Sequence, residues 1–197
     1  MRVVCLLVTA FALLAGCAGP QPFAPAKEIA AVSYRNEGPR ELTLLTMVNN
    51  RSGAGAHTAL VISASERVIF DPAGSFKARG VPERNDVLFG ISPSVERSFI
   101  SAHSRSTHRV VVQTLEVTPE QAEIAYQLAL QAGPVPGVYC ANSTARLLQQ
   151  IPGLEQIDVT FYPVNLSEQF AQFSGVRTEV VREDDDASLQ VALNALN

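Results

Sequence analysis

Apolar and polar positions along this chain follow two periods, and the places where one gives way to the other mark its elements. Residues 41–48 (ELTLLTMV) are apolar and threonine-rich and predict a strand, ended by the turn cluster Asn49-Asn50-Arg51-Ser52-Gly53-Ala54-Gly55. Residues 57–62 (HTALVI) and 67–70 (RVIF) flank Ser63-Ala64-Ser65-Glu66, a connection of hairpin length, and Asp71-Pro72-Ala73-Gly74 closes the second arm as a turn. Three antiparallel strands are thus expected within residues 41–70. Residues 75–92 mix Gly, Pro and charge without a period and read as a long loop that borders a site.

The helical period takes over at Ser92-Pro93, a cap followed by a first helical residue, for a short helix to about residue 104. Residues 108–117 (HRVVVQTLEV) return to a strand. Thr118-Pro119-Glu120-Gln121 is a capping box with Pro at the first helical position; its helix stops at Gly133 and buries Ala122, Ile124, Ala125, Leu128 and Leu130. Residues 134–139 (PVPGVY) cannot be helical, whereas 140–151 (CANSTARLLQQI) can, up to Pro152-Gly153. Cys140 therefore falls at or within one turn of a helix N-terminus. A helix over 166–173, a strand over 176–181, an acidic run Glu183-Asp184-Asp185-Asp186 read as a solvated spacer, and residues 188–197 complete the chain. The fold class is α+β, an antiparallel sheet packed against helices.

The first seventeen residues change the picture of where this domain resides. One basic residue, an apolar stretch and small residues ending Leu14-Ala15-Gly16-Cys17 read as a secretory signal. Those last four residues resemble the bacterial lipobox, which implies cleavage before Cys17, a lipid on its thiol, and a lipid-anchored envelope protein. Ala18, in place of an Asp after the lipid-bearing Cys, implies by the same resemblance an outer-membrane address facing the periplasm. The expected organisation is a signal over 1–16, a lipidated Cys17 with a proline-rich tether over 17–26, a domain over 27–182, and an acidic spacer with C-terminal segment over 183–197.

Composition narrows the classes further. With 197 residues, 47% hydrophobic, the chain suits one globular domain with a real core. A net charge of −4 with scattered Lys and Arg offers no footprint for a phosphate backbone, so nucleic acid is not an expected partner. Of the three cysteines, Cys5 leaves with the signal and Cys17 is consumed by lipid. Cys140 then remains as a single thiol with no partner for a disulfide.

A thiol becomes a nucleophile on ionising, and a helix N-terminus or a neighbouring imidazole lowers its pKa; a lone Cys is otherwise a small buried apolar residue. His57 begins a strand directly after a Gly-rich loop, where its ring either faces a cleft or simply ends the strand. If Ser63 pairs with Glu66, Thr58 faces Asp71, and a one-residue change of register moves Asp71 opposite His57. Asp71 is equally explained by its turn. His103 and His108 match no common zinc spacing and are expected on the surface or in loops; no metal site, phosphate loop or cofactor motif is present.

The order of His57-Thr58-Ala59-Leu60-Val61-Ile62, then Arg67-Val68-Ile69-Phe70-Asp71-Pro72, then Tyr139-Cys140-Ala141-Asn142-Ser143 resembles the circularly permuted papain-like thiol hydrolases, the permuted NlpC-type peptidases and the lecithin:retinol acyltransferase relatives. The resemblance covers residues 41–151. It implies Cys140 as nucleophile, His57 as general base and then acid, and Asp71 as the residue that orients the imidazole, although these families often carry His, Asn or Gln at that third position. The backbone N–H of Cys140 is an oxyanion donor by its place on the helix, with Tyr139 or Asn142 as alternative side-chain contributors. The implied activity is hydrolysis or acyl or peptidyl transfer at an amide or ester bond, with a cell-wall peptide or a lipid-like small molecule as substrate. The alternative is a non-catalytic envelope binding module on the same scaffold.

Overall fold

The computed structural model describes residues 22–184, so the signal segment, Cys17, residues 18–21 of the tether, and residues 185–197 lie outside the described residues. It is an α+β fold in which one seven-stranded antiparallel sheet carries five helices among the described residues. Strands β1 (Glu41–Asn49), β2 (Gly55–Ser63) and β3 (Arg67–Phe70) form where the apolar pattern places them, and β6 (His108–Glu116) follows α2 (Pro93–His103). Helices α3 (Pro119–Gln131) and α4 (Cys140–Gln149) have the expected starts. Thr118 accepts from Gln121 N–H and Gln121 returns the bond, so the capping box is complete.

With β4 at Glu83–Arg84, β5 at Val87–Leu88 and β7 at Arg177–Val181, strand order is β4-β5-β3-β2-β1-β6-β7. β1 is buried on both faces, which is why it reads as a nearly continuous apolar run rather than an alternation. Leu42, Leu44, Leu60, Ile62 and Phe70 face α3, α4 and α5 (Pro163–Phe170). Leu45, Met47, Ala59, Val61 and Ile69 face α2.

Five expectations are corrected. Within residues 75–92 lies a small hairpin, β4 (Glu83–Arg84) and β5 (Val87–Leu88), that extends the sheet beyond β3. Its two-residue turn uses positive φ at Asn85 and Asp86, the geometry that matches the twist of adjoining strands. The last helix starts at Pro163, a turn before residue 166, because Pro163 supplies a first helical residue. Ordered structure begins ahead of residue 27: α1 spans Ala26–Val32, Phe23 bridges to Arg84, and Arg84 Nε donates to the Ala24 carbonyl at 2.9 Å. Glu183 is no solvated spacer, since its carboxylate accepts from Arg105 at 2.6 Å and from Ser101 Oγ at 2.9 Å. On α3 the fully buried positions are Ala122, Ala125 and Ala129, while Ile124, Leu128 and Leu130 are only partly covered.

Candidate active site

The hairpin register decides how His57 and Asp71 meet. Ser63 pairs with Arg67 rather than Glu66, and Leu60 pairs with Phe70. Carried one step further, this register sets Asp71 opposite Ala59, two residues from His57 and on the same face. The contact is therefore diagonal, a separation that long side chains bridge across a sheet. His57 Nε2 donates to Asp71 Oδ1 at 2.6 Å. Neither the Thr58–Asp71 nor the directly opposed His57–Asp71 pairing is formed.

The turn also holds, but with different atoms. Gly74 N–H donates to the Asp71 main-chain carbonyl at 2.9 Å, and Ala73 takes φ +59° at the third turn position. The backbone closes the turn and leaves the carboxylate to His57. Gly74 is required by that carboxylate: a Cβ there would lie 1.9 Å from Asp71 Oδ2.

Cys140 reaches this pair from the other layer. β3 stops pairing at Leu60↔Phe70, so the first part of β2 offers its outer edge to another group. The Cys140 sulfur takes that place, accepting hydrogen bonds from the backbone N–H groups of Thr58 and Ala141 and bonding to the His57 side chain. With Nε2 committed to Asp71, Nδ1 is the ring nitrogen left for sulfur. Tyr139 caps α4 without a side-chain hydrogen bond, so the amides of its first turn remain directed at the thiol and at whatever binds beside it. Cys140 is a free thiol, 6% exposed.

Electrostatics follow from these contacts. Burial acts most strongly on His57 and alone would lower its pKa; hydrogen bonds to Asp71 and Cys140 and the charges on both outweigh it and raise the value from 6.5 to about 10. For Cys140, burial is again the largest influence and pushes the thiol up. His57, through its hydrogen bond and charge, together with the Thr58 and Ala141 amides, brings it below its ordinary value. Both shifts favour a thiolate–imidazolium pair over thiol and neutral imidazole, and the two titrations belong to the pair rather than to either group.

Two residues that sequence reasoning missed shape this site. His103 is not a surface histidine: its ring stacks on His57 with centroids 6.2 Å apart, packs on Phe99 at 4.5 Å, and its Nδ1 donates to the Phe99 carbonyl at 2.7 Å. Burial, its dominant influence, holds His103 below the ordinary imidazole value, so a neutral ring underlies the charged one. The spacing Phe99 to His103, one helical turn, was the available signal. Asp86, buried at the β4–β5 turn, accepts from Ala73 N–H at 3.1 Å and Val135 N–H at 2.9 Å, and its carbonyl accepts from Asp71 N–H at 2.8 Å. It thereby ties the Asp71 turn to the loop that delivers Cys140. His108 lies at the start of β6, bonded to Thr107, and takes no part.

The two proposed side-chain oxyanion donors line a cleft of about 380 Å³ between α3 and α4, with Val135, Ser143 and Arg146. Asn142 Oδ1 accepts from Arg146 Nε at 3.1 Å, and Tyr139 packs edge-to-face on Phe161 at 5.2 Å. A larger cleft of about 530 Å³ spans Thr43, Glu96, Arg97, Thr114 and Arg177 and carries none of the Cys–His–Asp residues, so it is not the centre of this chemistry. Among the described residues no cluster of His, Cys, Asp and Glu could hold a metal ion. Comparison with family models, with curated proteins and with solved structures returns no match, so the reading of this site rests on its own geometry.

Proposed function

We propose that this chain is an envelope lipoprotein whose domain, a permuted papain-like fold, is a thiol hydrolase or acyl or peptidyl transferase acting on an amide or ester bond. The observation that carries this reading is the imidazole of His57, bonded through Nε2 to a buried carboxylate and through its other side to a thiol at a helix start. Buried structural cysteines have no use for such a partner, whereas covalent catalysis needs a nucleophile, a base and an orienting group.

The Cys140 thiolate attacks the substrate carbonyl carbon, forming a C–S bond and moving the carbonyl electron pair onto oxygen. The amides at the start of α4, that of Cys140 first, stabilise this oxyanion. Collapse breaks the bond to the leaving group, which takes the proton held by the His57 imidazolium and departs as amine or alcohol. His57, now neutral, removes a proton from water or an acceptor, which attacks the thioester and releases Cys140 as thiolate with the proton back on the ring. Asp71 keeps the ring oriented throughout. The residues ending at Cys17 support the anchor, and a cell-wall peptide is the substrate class that a tethered envelope enzyme would meet at high effective concentration.

An activated ester tests the chemistry without knowing the substrate. Quenched incubation with p-nitrophenyl acetate is expected to add a single acetyl group to Cys140, seen by intact mass and peptide mapping. The adduct is absent in Cys140→Ala and forms about 10²-fold or more slowly in His57→Ala. Folded protein that acquires the adduct equally fast without His57 would return the domain to the binding-module reading.

A further inference from the structure

Large hydrophobic side chains exposed among the described residues are Phe23, Val138, Tyr139, Phe161, Tyr162 and Val180. Scattered singly they would need no explanation, but Val138, Tyr139, Phe161 and Tyr162 lie together. Tyr139 and Phe161 touch edge-to-face, and Val138 and Tyr162 are their chain neighbours. The Phe23 ring lies under the Arg84 guanidinium at 4.6 Å, beside the turn whose Asp86 holds Val135. From Val135 to Val138 is three residues, about 10 Å of extended chain.

Val138 adds a second observation. It is β-branched, 78% exposed, and held at φ +70° two residues before the nucleophile. A residue of that shape in left-handed backbone is strained, and nothing in the domain is gained by projecting it into solvent. Tyr162, 74% exposed, does the same from the loop before α5. That loop stands against the strand that bears His57, because a Cβ on Gly55 would meet Pro163 Cβ at 2.8 Å. The apolar rim therefore flanks both members of the Cys–His pair.

The chain itself indicates what covers this rim. The Pro22 carbonyl accepts from Asn85 N–H at 3.3 Å, so the described chain starts beside the β4–β5 turn. Pro22 is five steps along the chain from Cys17, a reach of about 17 Å when extended. We propose that the loops at 134–139 and 158–162, with Phe23, form a bilayer-docking face that seats Val138, Tyr139, Phe161 and Tyr162 at headgroup level and opens the Cys140 site onto the membrane surface. Aromatic rings with a polar edge suit that depth. A short lipid tether and an apolar rim are the two signals that stable interfacial seating requires. The inference rests on the lipid-anchor reading of Cys17, and it makes the substrate a bond presented at the membrane surface.

The chain contains no tryptophan, so one introduced indole reports alone. Tyr162→Trp is placed in the full chain, purified with its anchor and reconstituted in vesicles of phosphatidylethanolamine and phosphatidylglycerol with brominated acyl chains. Val180→Trp, on the opposite edge strand of the sheet, is the reference. The expected result is blue-shifted Tyr162→Trp emission quenched at least threefold more than the reference. Equal quenching at both positions, with lipid on Cys17 confirmed by mass, overturns the docking face. A blue shift already present without vesicles also overturns it, since the indole would then be covered by this chain or a second copy of it rather than by lipid. Absence of lipid on Cys17 overturns the anchor reading and this inference with it, while acetylation of Cys140 stays independent of either.

Discussion

Asp71 serves two structures with separate atoms: its carbonyl closes a turn and its carboxylate holds His57. That division gives predictions at single residues. The raised pKa of His57 means that the thiolate–imidazolium pair persists from the lowered pKa of Cys140 up to about 10, so the esterase rate rises on an acid limb as Cys140 loses its proton and falls on an alkaline limb as His57 loses its own. Asp71→Ala removes both the hydrogen bond and the charge that raise His57. The alkaline limb should move to lower pH, and kcat/KM should fall roughly 10²-fold or more in a pH-rate profile. Gly74→Ala should produce a similar loss with little change in backbone, because its methyl group would occupy the carboxylate's place. An unaltered profile in Gly74→Ala would show that the carboxylate is not needed where it stands.

At the scale of elements, the hairpin β4–β5 is what joins the two halves of the site. Its Asp86 side chain takes one amide from the Asp71 turn and one from the loop before Cys140. Asp86→Ala removes both bonds and puts a Cβ-bearing residue without local polar compensation at φ +62°, so it should cost about 2–3 kcal/mol in urea unfolding and about tenfold in rate. Asp86→Asn, which keeps an acceptor oxygen and tolerates left-handed backbone, should retain most of both. The sequence made β1, β2, β3, the capping box of α3 and the start of α4 legible, because each carries several consecutive apolar or capping signals. It concealed β4 and β5, two residues each, too short for any period to register. The same brevity hid Asp86. Register was hidden for another reason: the connection Ser63-Ala64-Ser65-Glu66 is compatible with more than one pairing, and only packing on both faces of β2 selects Ser63↔Arg67. Cys140, His57 and Asp71 were legible as types in order, whereas the diagonal contact and the stacking of His103 depend on tertiary placement.

Across the whole molecule, one sheet separates two apolar layers and the site forms where a strand edge lets them meet. The far edge is secured by β7 and the segment after it, where Glu183 binds the buried Arg105 and Ser101. Glu183→Ala should lower stability by about 1–2 kcal/mol, less at high salt because the carboxylate is partly exposed, and should leave Cys140 reactivity unchanged. That separation sets the edge of the sheet apart from its centre, where β2 presents His57 and Thr58 to the sulfur. The proposed chemistry requires Cys140 and His57 to titrate as a coupled pair. The most direct measurement is the pH dependence of iodoacetamide alkylation of Cys140 in the full chain, followed on the Cys140 peptide by mass spectrometry and repeated in His57→Ala checked for folding. An apparent pKa well below about 8.5 that rises to or above it in the variant is the predicted result. Slow alkylation with the same pH curve in both proteins would contradict the account.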